Sequence, residues 1–87
     1  MDEKIQKIFE EKIQESISKK NEIALLAKSL GTENENAFIR GIIIGRLYNS
    51  FYYQSRRILN RSPTDQEFSE FVKLLKEHEN KLSSSFS

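Results

Sequence analysis

The chain has 87 residues, the size of one domain. It contains no cysteine, which removes disulfides and thiolate metal sites, and its net charge of +1 gives no overall pull toward nucleic acid or an anionic membrane. With 37% hydrophobic residues, a chain this short buries only about 60–65% of the surface its unfolded form exposes, so association with a second copy is an expected source of further stability.

The opening MDEKIQKIFEEK is charged at once and has no apolar leader behind it. The most apolar stretch, Ala37 to Tyr53, is interrupted by Arg40 and Arg46 and falls short of the roughly 20 apolar residues a membrane span needs. No membrane partner is expected, and the expected compartment is the cytoplasm.

Helix 1 is predicted to start near Asp2, with Ile5, Phe9, Ile13 and Ile17 at spacing four and Ile8 beside them. The pattern falters around Ser18-Lys19-Lys20-Asn21. Either Asn21 caps a second segment carrying Ile23, Leu26, Ala27 and Leu30, or one long helix bends there; the second is the reading adopted. Gly31 suits a left-handed helix terminator, and the polar run from Thr32 to Asn36 reads as a loop.

The next helix is predicted from about Asn36 to Asn60. At 100° per residue, Ile44, Leu47, Tyr48, Phe51, Ser55, Ile58 and Leu59 gather on one face. Arg46, Asn49, Ser50, Tyr53, Arg57 and Asn60 gather opposite. In the first turns Phe38, Ile39, Ile42, Ile43 and Ile44 surround the axis, which predicts a half-helix buried on every side. Gly41 and Gly45 each cost about 1 kcal/mol there relative to Ala, and close approach of another helix would explain them.

A capping box, Thr64 with Glu67, opens the last helix directly after Pro63. Its apolar stripe is Phe68, Phe71, Val72, Leu75 and Leu82. Residues 83–87 lack any periodic pattern and are expected to be a disordered tail. The expected fold is therefore all-α, a single domain over residues 1–82 built as a small bundle of three helices around a long central one.

No constellation for catalysis emerges. His78 lies in Lys76-Glu77-His78-Glu79, where carboxylates one residue away point to other sides of the helix. Ser50 and Ser55 have no base in view, and Gly41 and Gly45 sit away from any helix N-terminus, so they make no phosphate cradle. The expectation is a non-enzyme without cofactor or metal.

One asymmetry carries a functional hypothesis. All five arginines, at 40, 46, 56, 57 and 61, lie between Phe38 and Arg61, a stretch with no acidic residue and all three tyrosines. Six Lys against eight acids precede it, and three Lys against five acids follow it, so charges of −2, +5 and −2 alternate along the chain. Three readings compete: arginines neutralised internally by the flanking helices, an Arg/Tyr surface for protein recognition, and a phosphate-binding surface. Leu26-Ala27-Lys28-Ser29-Leu30-Gly31 also resembles the first helix and turn of a helix-turn-helix. That resemblance covers these six residues only; Thr32 stands where an aliphatic is usual and Arg40 where an apolar residue is expected.

The resulting expectation is a homodimeric helical protein-protein interaction or regulatory module, with nucleic-acid binding through the central helix as the alternative. Arg46, Asn49, Tyr53, Arg56, Arg57 and Arg61 form the candidate contact surface. Ile39, Gly41, Ile42, Ile43 and Gly45 form the candidate dimer or helix-crossing surface.

Overall fold

The computed structural model describes residues 1–79. Four helices follow one another: α1 Glu3–Ser18, α2 Lys20–Ser29, α3 Glu35–Leu59 and α4 Asp65–Glu77, with no strand among the described residues. Leu82 and the expected tail at 83–87 lie outside them.

Local chemistry sets most of the boundaries. Asp2 caps α1 by accepting from the Lys4 and Ile5 amides at 2.8 and 3.2 Å. Asn34, two residues before the expected start, caps α3 through the Ala37 amide at 3.0 Å. At α4 both halves of the capping box form, Glu67 N–H to Thr64 Oγ1 at 3.1 Å and Thr64 N–H to Glu67 Oε1 at 2.9 Å. Gly31, at φ 65°, ends α2 in a Schellman turn: the Thr32 and Gly31 amides donate to Ala27 and Lys28 carbonyls. Asn60 ends α3 in the same left-handed region, at φ 57°.

The expected single first helix is two helices. The break falls at Lys19, where φ −100° and ψ 11° leave the helical region, and Asn21 lies inside α2 without a capping role. The Lys19 amide donates to Ser16 O, and the Lys19 carbonyl accepts from Ile23, so backbone bonds continue through the break. Its consequence is directional: α1 lies along the C-terminal half of α3 and α2 along the N-terminal half. Ile5 and Phe9 meet Phe51 and Gln54, Glu15 reaches Arg46, and Ile23 and Leu26 border a groove with Ile42.

The chain from α1 to α2 thus runs antiparallel to α3, and so does α4. Phe71 stacks on Phe51, while Arg40, nearer the start of α3, pairs with Glu79. Parallel register between α1 and α4 follows, with the Met1 ammonium 2.5 Å from Glu70 and the Phe9 ring edge-on to His78. The molecule measures 39 × 22 × 21 Å, and a 25-residue helix at 1.5 Å per residue accounts for its long axis.

One apolar core joins all four helices: Ile5, Phe9 and Ile13 from α1, Ile23 and Ala27 from α2, Ile39, Ile43, Leu47 and Phe51 from α3, Phe71 from α4. The expectation that the N-terminal half of α3 is buried on every side does not hold. Ile39 and Ile43 face the core, but Ala37, Arg40 and Gly41 are exposed, because α2 and α4 reach only part of its circumference.

Phe71 is the sole buried residue of α4 and the point at which that helix joins the core. Phe71→Ala is expected to cost roughly 3–5 kcal/mol, the range for deleting a buried ring, which chemical denaturation will read. Ser16 is fully buried, and its Oγ has no hydrogen-bond partner among the described residues. Ser16→Ala removes a desolvated hydroxyl, and is expected to raise stability by about 1 kcal/mol in the same assay.

Candidate functional site

Three of the five arginines are held by carboxylates of the chain itself. Arg46 Nη2 donates to Glu15 Oε1 of α1 at 2.8 Å, and Arg40 Nη2 to Glu79 Oε1 at 2.6 Å. Arg61, in the α3–α4 connection, makes a fork on Glu67 with contacts of 2.6 and 3.3 Å. Arg46 and Arg61, two residues of the expected contact surface, are therefore engaged internally.

These contacts perturb the carboxylates. The Arg61 guanidinium, helped by the Thr64 amide, holds Glu67 at about 2, well below the 4.5 of an unperturbed Glu. Glu15 is lowered by Lys12, which bonds to it at 3.1 Å, and further by Arg46. Glu70 is lowered by the Met1 ammonium.

The remaining expected contact residues point outward from α3. Asn49, Arg56 and Arg57 are exposed, and Tyr53 is 62% accessible. Among the described residues no carboxylate lies within ion-pair distance of Arg56 or Arg57. The Arg56 guanidinium instead sits 6.0 Å above the Tyr52 ring. Partial burial, with Tyr48 next to it, pushes the Tyr52 phenol above its ordinary value.

The expected helix-crossing residues divide differently. Ile39 and Ile43, at 5% and 1% exposure, belong to the chain's own core and offer nothing to a partner. Gly41 is exposed and Gly45 half-buried, and a Cβ built on either would meet nothing within 4 Å. Among the described residues no other helix makes use of the room they leave. Ile42 is half-buried beside the open groove of about 490 Å³ between α2 and α3, which Leu25, Leu26 and Arg46 also line.

Two features escaped sequence reasoning. Tyr48, expected on the buried face, is 44% exposed and packs its ring 4.9 Å from that of Tyr52. Leu25 and Leu26 of α2 and Leu30, its C-cap, are exposed by 46–65%. The signal for Tyr48 was present: Gly41, Gly45, Tyr48, Tyr52 and Arg56 recur at spacings of three and four, the period of one helix face. On α2 the signal was weaker, because Leu25 and Leu26 are one residue apart and cannot both face the core.

The outer surface of α3 is therefore a long face bearing Gly41, Gly45, Tyr48, Asn49, Tyr53 and Arg56, without a carboxylate from Asn36 to Arg61. No protein-family model, curated protein or solved structure matches the chain.

Groups with chemical potential lie elsewhere and are committed locally. Ser55 Oγ donates to the Phe51 carbonyl at 2.8 Å, and Ser50 lies half-buried between α1 and α3. His78 Nδ1 donates to Leu74 O at 2.9 Å, its ring against Phe9. Among the described residues no three His, Asp or Glu side chains are grouped to hold a metal ion, and no helix is long and apolar enough to cross a membrane.

Because folding favours the ionised form of Glu67, its contribution is complete above pH about 4.5 and disappears as pH falls toward about 2. Thermal melts across that interval are expected to show a falling midpoint. Glu67→Gln is expected to lower the midpoint at neutral pH and flatten the acid dependence.

Proposed function

We propose that this protein is a non-catalytic helical interaction module that works as a homodimer, joined through the outer face of α3. The observation that carries this reading is the composition of that face. A solvated helix surface is ordinarily dense in Lys and Glu. Here Gly41 and Gly45 stand beside Ile42, Tyr48, Asn49 and Tyr53, and the nearest outward charges are arginines.

The glycines add an energetic argument. Each costs about 1 kcal/mol relative to Ala within a helix, and a Cβ at either would meet nothing within 4 Å among the described residues. A second helix crossing at that point would turn the missing side chains into close backbone contact. Tyr and Arg around it belong to the residue types that carry interface energy. Leu25 and Leu26, exposed on α2 beside Ile42, extend the apolar area available to a partner.

Nucleic-acid binding is the second reading, and what supports it is the pair Arg56 and Arg57, with no carboxylate in ion-pair distance among the described residues and Tyr53 close in sequence. Two phosphate contacts per chain give a salt slope of about −2 in log affinity, too shallow for tight binding by one chain.

Sedimentation equilibrium at micromolar concentrations tests both readings. A dimer mass that ignores a short mixed-sequence duplex at low salt is the expected result. A monomer throughout overturns the homodimer, and a mass gain with duplex that disappears with salt favours the second reading. A Cβ at Gly45 meets nothing within 4 Å among the described residues, so Gly45→Leu is expected to keep its helical circular dichroism while shifting the mass toward monomer. An unchanged dimer mass for that variant rules out crossing at Gly45.

A further inference from the structure

We infer that the second copy docks antiparallel along α3, about a two-fold axis at Gly45, so that Arg56 and Arg57 of each chain face the partner's Glu33 and Glu35. The inference rests on the self-association proposed above and fixes its geometry.

Charge along the face selects the direction. Glu33 and Glu35 mark its N-terminal end, and Arg56 and Arg57 its C-terminal end, with no carboxylate between Asn36 and Arg61. Among the described residues neither glutamate has an ion-pair partner. A parallel pairing of two copies would set arginine against arginine and glutamate against glutamate. An antiparallel pairing sets opposite charges together twice, as a two-fold interface requires.

Register follows from counting. Arg56 lies 11 residues beyond Gly45, and Glu35, the first residue of α3, lies 10 before it, about 17 and 15 Å at 1.5 Å per residue, with Glu33 just ahead of the Asn34 cap. The same axis sets Asn49 opposite the partner's Gly41, Tyr48 opposite the partner's Ile42 and Tyr53 opposite the partner's Ala37. Large side chains meet small or apolar ones at each step.

The crossing angle is constrained too. At about 20° the two helix ends stay within reach of an Arg–Glu pair, whereas at about 50° they splay roughly 14 Å apart. Glycine at the centre allows the axes to approach closely, and the groove-lining Leu26 and Ile42 flank the contact.

The chain has no cysteine, so single introduced thiols report distances without interference. Under a glutathione redox buffer, Gly45→Cys is expected to cross-link to itself, because a disulfide needs Cα atoms about 4.4–6.8 Å apart. Arg56→Cys, about 20° round the helix from Gly45, is expected not to cross-link to itself, and a mixture of Gly41→Cys with Asn49→Cys is expected to give the mixed dimer. Efficient self-linking of Arg56→Cys means a parallel pair and overturns the inference. A protein that sediments as a dimer but does not link at position 45 also overturns it, while leaving self-association standing; a monomer defeats both. As a second readout, the R56E/R57E variant is expected to raise the dimer Kd about tenfold or more at low salt. Mixing it with E33K/E35K is expected to recover association. A Kd unchanged by either double variant refutes the charge pairing.

Discussion

Phe71 stacks on Phe51 with centroids 4.5 Å apart and planes within 6°, while the edge of Phe9 meets it at 5.5 Å and 89°. This three-ring contact is where α1, α3 and α4 come together, and the rest of the bundle depends on it. α4 offers the core no other buried residue, so its remaining hold on the molecule is half-buried aliphatic contact and ion pairs. Both ring geometries are among those aromatic pairs prefer, and each adds about 0.5–1.5 kcal/mol beyond the area it buries. Large rings also let α4 stand off from α3, leaving the open groove that Arg40, Ile44, Val72 and Leu75 border.

Charge then orients what the rings hold. The excess of positive charge on the central helix is answered by acids on both flanking elements: Glu15 on α1, Glu67 and Glu79 on the α4 side. Most of these pairs are half-exposed, so each adds little net stability. Their effect is on register. Arg46 reaches Glu15 only if α1 runs antiparallel to α3, and Arg40 reaches Glu79 only if α4 does as well. The Arg61–Glu67 fork differs, because Glu67 also completes the α4 cap, so one carboxylate satisfies a backbone amide and fixes the turn between two helices.

What the bundle leaves uncovered is as informative as what it buries. Two layers, α1–α2 and α4, cover one side of α3 and cannot wrap a helix 25 residues long. The outer side keeps its glycines and tyrosines, residues that solvent alone gives no reason to place there. The proposed self-association would turn that cost into contact, and the polarity of charge along the same face suits a copy turned end for end.

Much of this organisation is legible in the residues themselves. The α1 stripe at Ile5, Phe9 and Ile13, the stop at Gly31, the Thr64–Glu67 cap and the outward placement of Asn49, Tyr53, Arg56 and Arg57 all follow from period and cap chemistry, because these act over one helical turn. Three matters needed the folded chain. The apolar pattern falters at Ser18–Asn21, but the break at Lys19 lacks a capping side chain, so local chemistry did not separate a bend from a split. Period set Ile44 on the main apolar face and Ile39, Ile42 and Ile43 opposite it, whereas in the folded chain Ile39 and Ile43 are buried in the core and Ile44 is half-buried. The arginine partners lie 31 and 39 residues away for Arg46 and Arg40. Short-range chemistry writes helices and their ends into the sequence, but which side of a helix is buried, and which charge meets which, is set by where its neighbours come to rest.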